Sequence, residues 1–236
     1  MSSFILHELK TLADPAQALI LQRFFKTGKG EYGEGDVFLG IRMPALRALS
    51  KQRETPPLTE LQTLLDNRHH EARMLALLFL MRRYRASRDG AARKQVYDFY
   101  LANTARINNW DLVDITCRDI VGAYLLDKSR KPLYQLAKSK SLWEQRIAII
   151  STWTFIKHHD FDDTLALSEK LLTHPHDLMH KAVGWMLREV GKKDTSVLCA
   201  FLDRHCSQMP RTALRYAIEH FSEKARKNYL TRSRLR

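Results

Sequence analysis

The chain has 236 residues, 39 Lys and Arg against 26 Asp and Glu, and a formal net charge of +13, with a pI near 9.8. That length suffices for one large domain or a repeat array, and a hydrophobic share of 44% is ordinary for a soluble globular protein. The charge favours a polyanionic partner, most simply nucleic acid, over an inert basic surface. The three cysteines, Cys117, Cys199 and Cys206, are odd in number and lack CxxC spacing. A disulfide framework and a zinc site are therefore not indicated, and buried thiols in a reducing compartment fit better. MSSFILHELK carries a Glu directly after a short apolar run, unlike a signal peptide, and no apolar stretch approaches a membrane span. A soluble, cytoplasmic protein is expected.

Helical periodicity fills nearly the whole chain. Ser3 to Leu12 predicts a short first helix, and Asp14-Pro15 reads as an N-cap with Pro at the first helical position of the next, which runs to about Thr27. GKGEYGEGD follows. It lacks Walker spacing and no strand precedes it, so it reads as a flexible connection in which Lys29 and Tyr32 remain possible ligand contacts. FLGIR leads into a helix at Pro44, Leu58 to Leu65 carries an apolar stripe, and His70 to Arg85 is strongly helical. Further helices are predicted from Asp89 or Gly90 to about Ala102, from Asn109 to about Leu126, from Pro132, from Ser141 through Phe155, and from Phe161 to Leu172. Three more run from Pro175 to Gly191, from Asp194 to about His205, and from Pro210 to Phe221. No stretch alternates with period two, which predicts no sheet.

The helices recur. EARMLAL with Arg73, WDLVD with Trp110 and Asp114, EQRIAII with Arg146 and HKAVGWM with Lys181 and Trp185 follow one another at roughly 35 residues, the period of a stacked two-helix repeat. In a solenoid, equivalent positions line one groove. An all-α solenoid of HEAT-like repeats with a basic inner face is expected, as a single domain over residues 1–236 with a basic tail over 222–236.

NNWDLVD carries the densest chemistry. Asn109 is a good N-cap, and Trp110 and Asp114 share one helical face. An aromatic beside a carboxylate suits a cationic or electron-poor group lying against them, although Trp110 alone reads equally as core packing. Asp111 suits the helix dipole and is taken as structural. Arg146 sits in an apolar run and needs either a carboxylate or solvent, and its fork suits a phosphate. Trp185 divides evenly between packing and groove, while Trp143 and Trp153 read as packing. His69-His70 and His158-His159 read as solvated faces, and His176 with His180 lacks a third ligand, so no metal is expected. The tail cations Lys224, Arg226, Lys227, Arg232, Arg234 and Arg236 read as a solvated end or as a phosphate-binding arm.

Taken together and in order, FLGIRMPALR, NNWDLVD, WEQRIAI and HKAVGWMLREVGK resemble the AlkD-type DNA alkylation repair glycosylases, from about Phe38 to Gly191. The resemblance implies a superhelix wrapping duplex DNA and excision of N3- and N7-alkylated purines, with no cofactor. By motif, Trp110 and Asp114 match the family's catalytic tryptophan and aspartate, Trp185 its second tryptophan, and Arg146 its groove-lining arginine. Arg73, Lys181 and Arg188 are further candidate DNA contacts. A monomer is the default. A non-catalytic DNA-binding solenoid and a protein-interaction scaffold remain the rival readings.

Overall fold

The structure, a computed structural model, describes residues 2–233. Every regular element among them is a helix, and the one β feature is an isolated bridge between Val37 and His69. Contacts cluster into two compact units, Met1–Thr116 and Cys117–Arg236.

The first unit holds α1 (Ser2–Thr11), α2 (Pro15–Phe24), α3 (Met43–Gln52), α4 (Leu58–Leu65), α5 (His70–Ala86), α6 (Gly90–Ala102) and α7 from Trp110, which closes at Cys117. α5 is buried round almost its whole circumference, which an amphipathic surface helix is not, so it forms the centre of this unit. α1, α3, α4 and α6 pack on it, and Tyr100 of α6 meets Thr116 of α7 by a buried hydroxyl pair at 3.0 Å. The predicted caps form: Asp14 accepts from the Gln17 N–H and Asp89 from the Ala92 N–H. α2 stops at Phe24, short of Thr27, because Lys26 takes a left-handed φ of 52°. The Gly40 of FLGIR has φ 87°, and a Cβ there would lie 2.0 Å from the Asp14 carbonyl oxygen, so the loop can cross the start of α2 only with glycine.

The second unit begins with a π turn (Arg118–Gly122) continuing from α7, then α8 (Ala123–Leu125), α9 (Lys131–Leu136), α10 (Leu142–Ser151), α11 (Trp153–Lys157), α12 (Asp162–Lys170), α13 (Asp177–Lys193), α14 (Thr195–His205), α15 (Arg211–Ala217) and α16 (Glu223–Arg232). α13 is central and contacts α10, α11, α12, α14 and α15. Gly184 lets α15 approach, since a Cβ would lie 2.4 Å from the Ala213 carbonyl oxygen. The helix predicted from Ser141 through Phe155 breaks at buried Thr152, whose hydroxyl bonds back to the Ile149 carbonyl at 2.7 Å and competes with the helical ladder. The helix from Pro210 ends at Ala217.

The residues that recur in sequence fall on α5, α7, α10 and α13, and three of these pack on the helix before them: α4 with α5, α9 with α10, α12 with α13. The basic tail is helical where described. α16 is fastened by buried Tyr229, by Arg232 to Asp203 at 2.7 Å, and by Arg211 to the Leu230 carbonyl at 2.6 Å. Arg234 and Arg236 lie outside the described residues. Among the described residues no helix is long and apolar enough to cross a membrane.

Candidate active site

Trp110 opens α7. Its N–H donates to the Asn109 side-chain oxygen at 2.8 Å, so that oxygen serves the first turn's outermost N–H, while the Asn109 carbonyl accepts from Val113. The indole is half-buried and stacks on Phe25 at 5.2 Å between centroids, with Phe24 edge-on at 5.9 Å. The stack continues from Phe25 to Phe38 at 5.0 Å and from Phe38 to His70 at 4.5 Å, with interplanar angles of 18° and 20°. Trp110 also walls an apolar cavity of about 390 Å³ with Leu21, Phe24, Phe38, Met74 and Ile115. The indole therefore both packs and lines open space. Asp114 is half-buried, one turn further along α7.

Beneath this turn lies a buried charge network. Asp36 and Asp111 clasp the His70 imidazole, Asp36 at Nδ1 and Asp111 at Nε2, each at 2.8 Å. Arg73 donates to Asp36 at 2.7 Å and to the Asn108 side-chain oxygen at 3.1 Å. Burial opposes the charged imidazole, but the two carboxylates outweigh it and push the His70 pKa up to about 9. Burial likewise pushes Asp36 up, yet the bonds and charges of His70 and Arg73 hold it below the ordinary carboxylate value. His70 is thus an imidazolium donating through both nitrogens. Beside it, the buried Glu71 carboxylate accepts the N–H groups of Leu39, Gly40 and Ile41 at 2.9, 2.8 and 3.1 Å, anchoring the FLGIR loop to α5.

These placements correct one expectation and extend another. His70, predicted on a solvated face, is 3% exposed and charged. Asp111 is the structural first-turn residue expected, and it is also buried and bonded to His70. Arg73, a candidate DNA contact, is 5% exposed with its guanidinium committed to Asp36, Asn108 and the carbonyls of Asn67 and Arg68, which leaves it turned inward. The GKGEYGEGD loop is closed by its own side chains: Glu31 accepts from the Gly28 N–H and Glu34 from the Gly30 N–H, both at 2.9 Å. A signal for the network existed in sequence. His70, Glu71 and Arg73 are polar residues at the start of a helix whose next eight residues, Met74 to Met81, are all apolar.

In the second unit Arg146 is buried and donates to the Leu178 carbonyl, tying α10 to the first turn of α13. Along α13, Lys181 pairs with Asp177 at 2.7 Å, Trp185 donates its indole N–H to Glu189 at 3.2 Å, and Arg188 bonds Glu219. Trp185 is half-buried. At the helix entry two histidine rings accept backbone bonds: His174 Nδ1 from the His176 N–H at 3.0 Å and His176 Nδ1 from the Leu178 N–H at 3.1 Å. Both require an unprotonated Nδ1, and burial lowers both pKa values. Among the described residues no group of three or more His, Cys, Asp or Glu is arranged to hold a metal.

The chain is similar in fold to a solved structure described as a predicted DNA alkylation repair enzyme from Enterococcus faecalis, with a TM-score of 0.69, 18% identity, and coverage of 89% of this chain and 97% of that one. No curated protein matches the chain. The family model of the DNA alkylation repair enzyme matches residues 5–221, which reaches across most of both units and includes every side chain of the candidate site. The chain belongs to the DNA alkylation repair enzyme family.

Proposed function

We propose that the protein is a monofunctional DNA glycosylase that hydrolyses the N-glycosidic bond of N3- and N7-alkylated purines in duplex DNA and leaves an abasic site. The observation that carries the reading is the presentation of Trp110 and Asp114 by one helix turn, both only half-buried, in a chain of this family. Alkylation at N3 or N7 makes the purine cationic and a good leaving group. As the bond to the base breaks, positive charge develops on the sugar and a water oxygen forms the new bond to its anomeric carbon. Asp114 stabilises that charge and takes the proton the water gives up. The electron-rich face of Trp110 favours the same developing cation, and that of Trp185 is the second unit's candidate for a cationic ligand.

In this reading Lys181 and Arg188 hold backbone phosphates, while Arg146, buried like Arg73, steadies the first turn of the helix that carries them. Lys181 and Arg188 would exchange their surface carboxylates, Asp177 and Glu219, for phosphate, a swap between partners of one charge type. Arg73 is left out of the contact set because it is buried and both its Nη atoms are bonded internally. No side-chain amine is marked out for lyase chemistry. The enzyme acts as a cytoplasmic monomer and needs no cofactor.

The test is release of free 7-methylguanine from a duplex. Wild type is expected to release it above the spontaneous rate, and Asp114→Asn to lose excision by about a hundred-fold or more while binding DNA as before. An Asp114→Asn variant of wild-type rate would remove the assigned role of the acid. Absence of release by wild type, with DNA affinity that falls steeply with salt, would leave a non-catalytic DNA-binding protein, and a flat salt dependence would point to a protein scaffold.

A further inference from the structure

We propose that Asp36, His70 and Arg73 are positioning residues that set the direction in which the first turn of α7 presents Trp110 and Asp114. The inference rests on the reading of those two side chains as the reacting ones. The entry to α7 is fastened at three points close together in sequence. Arg73 donates to Asn108 at 3.1 Å, Asn109 donates to Asp36 at 3.4 Å, and His70 donates to Asp111 at 2.8 Å. All three fastenings lead back to one carboxylate, because Asp36 also receives His70 at 2.8 Å and Arg73 at 2.7 Å. Trp110 sits between two of the fastened residues. Asp114 follows Asp111 by three residues on the same helix, so a rotation of the turn moves both side chains together.

The chemistry of the cluster argues for orientation over mere adhesion. Two carboxylates and two cations are taken almost fully out of water: the side chains of Asp36, His70 and Arg73 are 1%, 3% and 6% exposed and that of Asp111 is 10%. Desolvating four charges is expensive, and apolar side chains of similar volume fill such a space at least as stably. What apolar packing lacks is direction. A hydrogen bond fixes an angle, and an imidazolium donating from both nitrogens fixes two carboxylates along one line. His70 is also the inner end of the ring stack that runs through Phe38 and Phe25 to Trp110, so it meets α7 by two routes, one polar and one aromatic.

The experiment compares His70→Gln, Asp36→Asn and Arg73→Lys with wild type on 7-methylguanine duplex, in single turnover at saturating enzyme. His70→Gln and Asp36→Asn are expected to excise roughly ten-fold or more slowly with DNA Kd within about two-fold of wild type, because misplacement acts on the reacting geometry and leaves phosphate binding alone. Arg73→Lys keeps a charge beside Asp36 but loses the fork whose Nη2 serves both Asp36 and Asn108 and whose Nη1 serves the Asn67 and Arg68 carbonyls, and should fall between them and wild type. Amides of residues 110–114 should exchange with deuterium roughly ten-fold faster in His70→Gln, while those of α10 and α13 stay as they were. The wild-type excision rate should also decline on the alkaline side with an apparent pKa near 9, where neutral His70 keeps only one donor, and this limb should vanish in His70→Gln.

Folded variants with wild-type excision rates, or with unchanged exchange over residues 110–114, would overturn the proposal. Should the two stronger variants fail to fold, Arg73→Lys decides by the same readouts. Should wild type release no base, the glycosylase reading fails on its own, while the exchange measurement still tests the network.

Discussion

Raising the pH should loosen the first unit well before any lysine or tyrosine ordinarily titrates, and His70 is the cause. Its pKa stands at about 9 in the folded protein against 6.5 for a free side chain. The folded state therefore holds a proton that the unfolded state has released, and stability falls with pH across that interval. At about 1.4 kcal/mol per unit the gap amounts to about 3 kcal/mol, fully present below pH 6.5 and lost as the pH rises through about 9. Asp36 acts in the opposite sense. Its lowered pKa contributes stability that is complete above the free value of 3.8 and disappears as the pH falls through its folded value. The network is thus most stabilising between the two free values. The assay is urea unfolding of fluorotryptophan-labelled protein followed by fluorine NMR. Trp110 is the tryptophan of the first unit, so its resonance separates that unit's transition from the second's. Wild type should lead His70→Gln by a margin that shrinks by about 3 kcal/mol between about pH 6 and about pH 9.5. Imidazole ring protons of His70 that titrate near pH 6.5, or a margin constant across the range, would refute the reasoning.

Three further outcomes follow from particular contacts. Gly184→Ala should destabilise the second unit by about 1–3 kcal/mol, read as a lower urea midpoint for the Trp143, Trp153 and Trp185 resonances, because its Cβ would meet the Ala213 backbone at 2.4 Å. Acidification should fray the entry of α13: His176 has a lowered pKa, so stability rises with pH up to the free value of 6.5, and amides near Leu178 should lose protection as the pH falls below it. Lys181→Gln should reduce the slope of log affinity for DNA against log salt by about one, a loss uniform across sequences.

The fold was legible because helix signals are local. Asp14, Asp89, Ser141 and Asp194 cap the helices predicted from them, each by a side-chain bond into the first turn. The 35-residue recurrence likewise falls on helices, α5, α7, α10 and α13, three of which pack on the helix before them. What periodicity does not carry is where a polar residue finds its partner. Arg73 and Asp36 are thirty-seven residues apart and His70 and Asp111 forty-one, and nothing in either neighbourhood names the other. A histidine pair at a helix start looks solvated until the loop carrying Asp36 folds over it. Thr152 shows a similar limit on a smaller scale, since a buried hydroxyl's choice of the Ile149 carbonyl ends a helix whose apolar pattern runs on. In the candidate site, Trp110 and Asp114 were legible as a pair within one turn, whereas the groups behind that turn were not.

The seat of Glu71 has a consequence of its own. Three consecutive backbone N–H groups, from Leu39, Gly40 and Ile41, converge on one carboxylate, and Gly40 can shape this curve because its φ of 87° is open to glycine. Such a cradle is indifferent to how its anion is attached. Were the carboxylate trimmed away, as in Glu71→Ala, the curve would be left as a small vacant receptor for formate, acetate or chloride. A soluble carboxylate supplied at high concentration would then take the place of a side chain and restore the loop, turning an internal tether into a chemically addressable one.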